Sequence, residues 1–187
     1  DSSVLDRIDS EYQNLLTREQ RALQLLTVVA SSSFIPWVLV PLLGVTPRGP
    51  LALPPGGAHW YRLGGIPTPD PATFFASFES LAAFLDALPV PIDRVVLGGF
   101  SQGAVMSWAL GLGAGRPRPA GIMALSGFMP EVPGFELDLT DLEGYPIAVA
   151  HGSLDPVIPV ELGRVAAERV RAAGADLLWR ESPVPHT

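Results

Sequence analysis

The sequence predicts an α/β fold, in which a mostly parallel sheet carries helices on both faces. Short apolar runs alternate with longer stretches of helical periodicity through residues 94–179. The runs are apolar along their whole length, as strands of a parallel sheet covered on both faces usually are. A glycine-containing turn joins one run directly to a helical stretch. The 187 residues suit a single domain, which we place over residues 1–187.

The first part of the chain predicts one helix and one strand. Apolar residues at helical spacing indicate a helix over residues 6–26, and β-branched residues favour a strand over 25–30. A second apolar stretch covers residues 38–46. Residues 47–71 are rich in proline and glycine, so we expect a long loop there.

The rest of the chain alternates regularly between helix and strand. An amphipathic helix over 73–88 comes first. We then expect strands over 94–99, 121–125, 147–150 and 177–179, with helices over 102–112 and 160–173. Gly174 ends the last helix as its C-terminal cap. In a parallel sheet of this kind, ligands bind at the carboxyl ends of the strands.

Composition excludes several classes of function. The net charge is −7 without any basic cluster, so nucleic acid is not an expected partner. The absence of cysteine excludes disulfides, thiolate catalysis and thiolate metal ligands. The chain begins without a basic region or a small-residue cleavage site, so we expect no signal peptide and a cytoplasmic protein.

One uncharged segment, residues 22–47, leaves a membrane-anchored protein as an alternative. Three serines and two prolines interrupt the segment and make poor material for a membrane helix: Ser31, Ser32, Ser33, Pro36 and Pro41. We therefore expect a buried strand, a turn and a short helix there, and no stable membrane insertion.

The motif Gly99-Phe100-Ser101-Gln102-Gly103 lies between the strand over 94–99 and the helix over 102–112. In G-x-S-x-G the serine occupies a sharp strand-to-helix turn, and the small glycines avoid a collision with neighbouring backbone. Its hydroxyl then lies at a helix N-terminus, which favours a developing negative charge. We predict that Ser101 is a nucleophile and that the backbone N–H of Gln102 binds an oxyanion.

A serine nucleophile needs a base and an orienting acid, which follow it along the chain in this fold class. His186 is the histidine that follows the last strand, so we predict that it is the base. Asp155 follows the strand over 147–150 and is the predicted acid, although an Asp there could instead cap the next helix. Asp138 and Asp141 remain alternative acids, but they precede that strand.

The other two histidines have weaker functional readings. We expect His151 to order its own loop, and His59 could contact a substrate. The proposed chemistry requires neither a metal nor an organic cofactor.

Three motifs together resemble the phospholipase/carboxylesterase family, the α/β-hydrolase group that includes the acyl-protein thioesterases. They are residues 99–103, the triplet Leu125-Ser126-Gly127, and His151-Gly152-Ser153-Leu154-Asp155-Pro156-Val157-Ile158-Pro159. Residues 47–50 and the pair Trp60-Tyr61 also look like that family's loop before its first long helix.

The resemblance implies a serine carboxylic-ester hydrolase acting through Ser101, Asp155 and His186 and an acyl-enzyme. The implied substrates are small carboxylic esters, thioesters or lysophospholipids. Trp60 and Tyr61 would flank the acyl pocket; an equally open alternative is that these aromatic rings anchor the loop rich in proline and glycine.

The sequence also departs from the family. Residues 44–187 are family-like, whereas residues 1–43 are atypical and lack the turn that supplies the second oxyanion donor; Ser31-Ser32-Ser33-Phe34 is the nearest equivalent. The family usually continues past the histidine into a final helix; we expect a fold without that helix, and with an apolar face that could pair with a second copy. Without a complete oxyanion hole, the alternative is a non-catalytic binding module. A dienelactone hydrolase is disfavoured because those enzymes usually use cysteine as the nucleophile.

Overall fold

The computed structural model describes residues 26–30 and 45–186. The strands in these residues are β1 (Leu26–Ala30), β2 (Leu51–Leu53), β3 (Gly57–His59), β4 (Val95–Phe100), β5 (Gly121–Leu125), β6 (Pro146–Gly152) and β7 (Asp176–Ser182). The helices are α1 (Pro71–Asp86), α2 (Gln102–Leu112) and α3 (Val160–Ala172), with a 3₁₀ turn over Ile92–Arg94. The predicted alternation of strand and helix is confirmed in this part of the chain. The predicted helix over 6–26 and most of the stretch over 38–46 lie outside the described residues.

Five strands form one parallel sheet in the order β1-β4-β5-β6-β7. The register aligns their carboxyl ends: Ala30 pairs with Gly99, and Leu125 pairs with Ala150. β4 lies between β1 and β5 in this sheet and is buried from Val95 to Gly99. Residues that follow β4, β5, β6 and β7 therefore come together at one edge of the sheet, which is where the candidate site lies.

The three described helices pack on one face of the sheet. Leu97, Ile122 and Ile147 are paired neighbours across three strands and so point to the same side. The aromatic residues of α1 cluster with Leu97, and Trp108 of α2 and Ala166 of α3 cluster with Ile122 and Ile147. Helices on the opposite face, part of the predicted fold, stay a prediction.

The prediction of an unbroken loop over residues 47–71 is wrong. β2 pairs antiparallel with β3, and Leu51 lies opposite His59. The Pro54-Pro55-Gly56 sequence makes the tight turn between them, in which the Gly56 N–H donates to the Leu53 carbonyl at 3.1 Å. The strands are only three residues long and only partly buried, which is too short for the apolar pattern from which a strand is normally predicted.

β7 is longer than its apolar core suggests. The sequence predicts a strand over 177–179, whereas β7 pairs with β6 from Asp176 to Ser182. Glu181 and Ser182 extend it with polar residues, which are tolerated in β7 because it is the outermost of the described strands in the sheet. The extension carries the chain to the end of the sheet at which the candidate site lies, and β7 ends four residues before His186.

Candidate active site

Ser101 lies on the sharp turn between β4 and α2, as predicted. Its backbone has φ 55° and ψ −121°, a region that non-glycine residues rarely occupy. The turn is held by its own hydrogen bonds: the Ser101 N–H donates to the Leu125 carbonyl at 2.9 Å, and the Ser101 carbonyl accepts from Ala104 at 3.0 Å. A Cβ at Gly99 would clash with the Gly103 carbonyl group. Only glycine at position 99 therefore permits this turn.

Asp155 lies in the turn that follows β6. Its Oδ1 accepts hydrogen bonds from the backbone N–H groups of Val157 and Ile158, both at 2.8 Å. The side chain is fully buried. Burial alone would raise the pKa of this carboxyl, but hydrogen bonds from His186, Ile158 and Val157 outweigh it and hold the pKa below its ordinary value. Asp155 is therefore an ionised carboxylate that can only accept hydrogen bonds.

His186 is carried by the segment that follows β7, and this segment is attached to the Asp155 turn. The Ser153 N–H donates to the Ser182 carbonyl at 2.8 Å, and the Leu154 N–H donates to the Val184 carbonyl at 3.2 Å. These backbone bonds hold the two segments side by side. The His186 ring also packs at a tilt against Phe100, with ring centroids 4.6 Å apart.

The three predicted side chains meet at the sheet edge. His186 Nδ1 lies 2.6 Å from Asp155 Oδ2, and His186 Nε2 lies 3.0 Å from Ser101 Oγ. Because the carboxylate only accepts, Nδ1 carries the hydrogen and donates it. In the neutral ring Nε2 then has a free lone pair, which accepts the hydrogen of the Ser101 hydroxyl.

The alternative acids lie elsewhere. The Asp138 N–H donates to the carbonyl of Leu112, the last residue of α2, so Asp138 lies at the opposite end of that helix from Ser101. Its carboxylate accepts from Thr140 and is 3.5 Å from Arg118. Asp141 lies in the turn before the amino end of β6. The reading of either residue as the acid is therefore wrong, because both precede β6 whereas the site lies beyond its carboxyl end.

The remaining two histidines lie in different surroundings. His151 is buried on β6, and its Nε2 lies 2.9 Å from the carbonyl oxygen of Ile158. It therefore orders the loop that follows its strand, as expected. His59 ends β3, where its backbone packs against Gly49; contact between His59 and a substrate stays a prediction.

Trp60 and Tyr61 are core residues in this structure. Their exposed fractions are 2% and 0%, and they pack with Phe74 of α1. Burial raises the pKa of the Tyr61 hydroxyl above its ordinary value. Both residues are thus placed as anchors of their loop, and their contact with an acyl chain stays a prediction.

The side chain of Gln102 holds that loop and was not among the predicted site residues. Gln102 Oε1 accepts from the backbone N–H groups of Trp60 at 2.8 Å and Tyr61 at 3.3 Å. Its Nε2 donates to the Tyr61 carbonyl at 3.0 Å. One signal was available, since Gln102 is a long polar residue that begins a helix otherwise made of small and apolar residues.

Two predictions fall largely outside the described residues. The second oxyanion donor was expected near Ser31 to Phe34, which are not described; β1 ends at Ala30, paired with Gly99 of the turn. Most of the uncharged segment over 22–47 also lies outside. Within the part of the chain that the structure covers, none of the helices has both the length and the apolar character needed to cross a bilayer.

Comparison with known proteins shows the family of this chain. Residues 42–183 match the phospholipase/carboxylesterase family. Acyl-protein thioesterase 1 of Candida albicans is 30% identical over 152 residues, covering 72% of this chain and 61% of that protein. Acyl-protein thioesterase 1 of Gibberella zeae is 36% identical over 102 residues, covering 53% of this chain and 43% of that protein. The chain thus spans less than two thirds of either relative.

Solved structures support the same fold. The Bacillus cereus carboxylesterase superposes with a TM-score of 0.71 at 19% identity, covering 87% of this chain and 80% of that one. A carboxylesterase from Mesorhizobium loti gives a TM-score of 0.70 at 19% identity, with coverages of 88% and 82%. With its α/β-hydrolase fold and its match over residues 42–183, the chain belongs to the phospholipase/carboxylesterase family.

Proposed function

We propose that this protein hydrolyses carboxylic esters through an acyl-serine intermediate formed on Ser101. The observation that carries the proposal is the unbroken chain of contacts from Ser101 Oγ through the His186 ring to the Asp155 carboxylate, at 3.0 and 2.6 Å. A serine hydroxyl becomes a useful nucleophile only when a base accepts its proton and an acid orients that base. The membership of the family supports the same class of reaction.

The reaction begins when Ser101 Oγ attacks the ester carbonyl and passes its proton to His186 Nε2. Asp155 keeps the His186 hydrogen on Nδ1 and stabilises the positively charged ring. The tetrahedral intermediate collapses as His186 returns the proton to the departing alcohol. Water then attacks the acyl-serine, with His186 as its base, which releases the carboxylic acid and restores Ser101.

The oxyanion of each tetrahedral intermediate is bound by the backbone N–H of Gln102 at the start of α2, where the helix dipole favours negative charge. A second donor from the early part of the chain stays a prediction, because the residues after Ala30 up to residue 44 lie outside the described part of the structure. Losing one such donor typically costs about 10²-fold to 10³-fold in rate.

The finer details of the substrate are part of the proposal. The relatives in Candida albicans and Gibberella zeae are acyl-protein thioesterases, so thioesters join small carboxylic esters and lysophospholipids as candidate substrates. A thioester follows the same steps with a thiol as leaving group. We further propose a cytoplasmic location and a reaction that needs neither a metal nor an organic cofactor. We also propose that Trp60 and Tyr61 lie beside the acyl pocket. Pairing of two copies is a prediction that size-exclusion chromatography would test.

The first prediction concerns Ser101→Ala. We expect kcat for a short-chain nitrophenyl ester to fall by about 10⁴-fold or more, because the nucleophile is lost. Fluorophosphonate labelling, followed by peptide mass spectrometry, should modify Ser101 in the wild type and nothing in the variant. Ser107→Ala is the matched control, since Ser107 is a buried serine of the same helix bonded to the Gly103 carbonyl.

The outcomes separate the proposal from its alternative. Unchanged turnover in Ser101→Ala would show that Ser101 is not the nucleophile. Labelling of Ser101 without any ester turnover would favour a binding module that retains a reactive serine.

A further inference from the structure

His151 is a buried histidine with no part in the steps proposed above. It is the last but one residue of β6, and its side chain has no exposed surface. Buried polar groups are costly unless they bond to something, so a ring in this position needs a structural or functional reason.

The Nε2 atom of His151 faces two acceptors at the Asp155 turn. It lies 2.9 Å from the Ile158 carbonyl oxygen and 3.5 Å from Asp155 Oδ2. Because both groups are acceptors, Nε2 carries the hydrogen. Nε2 donates its hydrogen bond to the Ile158 carbonyl. The Asp155 carboxylate lies at the limit of hydrogen-bond distance and interacts electrostatically with the N–H dipole.

The opposite side of the ring is held by α3. Among the residues that the structure describes, none bonds to the buried His151 Nδ1, and a Cβ at Gly163 would lie 2.5 Å from it. A hydrogen on Nε2 has an acceptor in the Ile158 carbonyl, whereas one on Nδ1 has none among the described residues, so the hydrogen is better placed on Nε2. The ring is thus held between the first turns of α3 and the Asp155 turn.

We propose that His151 is a positioning residue for Asp155. Ile158 accepts from His151 through its carbonyl and donates to Asp155 Oδ1 through its N–H, at 2.8 Å. By fixing Ile158, His151 fixes the rotation of the carboxylate, so that Oδ2 faces His186 Nδ1. This role rests on the proposed function, in which Asp155 orients the base.

The test compares two amides of different length at position 151. In His151→Gln the side-chain Nε2 lies as many bonds from the backbone as the ring Nε2, so it can still donate to Ile158. In His151→Asn the amide is too short to reach. We expect kcat for a nitrophenyl ester to fall by about 10-fold to 100-fold in His151→Asn and by less than about 3-fold in His151→Gln, with KM changed little in both.

A spectroscopic readout separates positioning from folding and from turnover. The proton between His186 Nδ1 and Asp155 Oδ2 should give a low-field NMR resonance in the wild type and in His151→Gln. In His151→Asn we expect this resonance to lose intensity, because the proton exchanges faster with water. Melting temperatures show whether each variant folds. If His151→Asn does not fold, Gly163→Ala, which pushes the ring from the other side, should weaken the resonance and lower kcat.

Two failures are distinguishable. If the wild type neither turns over esters nor reacts with fluorophosphonate, the proposed function is wrong, while the proton resonance still tests the positioning role. If the wild type is active but both amide variants fold with wild-type kcat and an unchanged resonance, His151 does not position Asp155.

Discussion

Gly152 shapes the candidate site although it has no side chain. A Cβ at this position would lie 2.6 Å from the Pro185 carbonyl oxygen and closer still to that of Val184. The chain that carries His186 therefore approaches the end of β6 only because residue 152 is glycine. The sequence showed Gly152 as part of a motif, but the contact that requires it joins segments more than thirty residues apart and appears only in the fold.

We expect Gly152→Ala to displace His186 and lower kcat by about 10²-fold, since errors near 1 Å in the placement of reacting groups have effects of this size. Steady-state kinetics on a nitrophenyl ester measure the change. Gly115→Ala is the control: it has φ 76° and open space around it beyond the far end of α2, so strain should lower its melting temperature and leave kcat intact. Wild-type kcat in folded Gly152→Ala would contradict the packing argument.

At the scale of elements, Gln102 joins α2 to the loop between β3 and α1. Its amide is the hydrogen-bond partner of two backbone N–H groups and one carbonyl, all from Trp60 and Tyr61. The same residue contributes its backbone N–H to the proposed oxyanion site. The start of α2 is thus tied both to the turn at Ser101 and to the aromatic core.

Gln102→Met keeps the length of the side chain and removes all three bonds. We expect the free energy of unfolding to fall by about 2 kcal/mol, because buried N–H groups lose their acceptor. The backbone N–H of residue 102 is unchanged, so the loss belongs to the side chain. Urea denaturation measures it, and a value within about 0.5 kcal/mol of the wild type would show that water or neighbouring groups replace the amide.

The helices and strands that form long buried runs were predicted most accurately. α2 has the predicted bounds, and β4 and β5 agree with theirs to within one residue, because buried runs and a flanking glycine turn mark their ends. β2 and β3 were missed because strands of three residues are too short to show a periodic apolar pattern, and cross-strand pairing stabilises them. The polar end of β7 was missed because its pairing with β6 at the sheet edge extends it.

At the scale of the whole molecule, the ionised Asp155 links the site to acid stability. Its pKa lies below the ordinary 3.8 in the folded protein, so between those two values the unfolded chain binds more protons than the folded one. The stability that Asp155 contributes is therefore fully present above its unfolded pKa and is lost as the pH falls through the folded pKa.

We expect the difference in unfolding free energy between the wild type and Asp155→Asn to be constant near neutral pH and to shrink below about pH 4. Urea denaturation in steps from about pH 7 to about pH 3 measures this difference. Asp93→Asn, on the exposed 3₁₀ turn, controls for the loss of one negative charge. A difference that stays constant or grows towards low pH would show that the Asp155 pKa is not lowered by folding.

The sequence by itself determined the α/β class, the serine of the sharp turn and the two residues predicted to serve it. Local patterns are enough to predict these features. A sharp strand-to-helix turn requires glycine beside the serine, and the alternation of strand and helix along the chain indicates which loops lie at the carboxyl ends of the strands. Only the tertiary structure decided between Asp155 and the acidic residues before β6. It also placed Trp60 and Tyr61 in the core and gave Gln102, Gly152 and His151 their contacts. Those outcomes depend on close approach between distant segments, which packing creates and no local pattern of residues records.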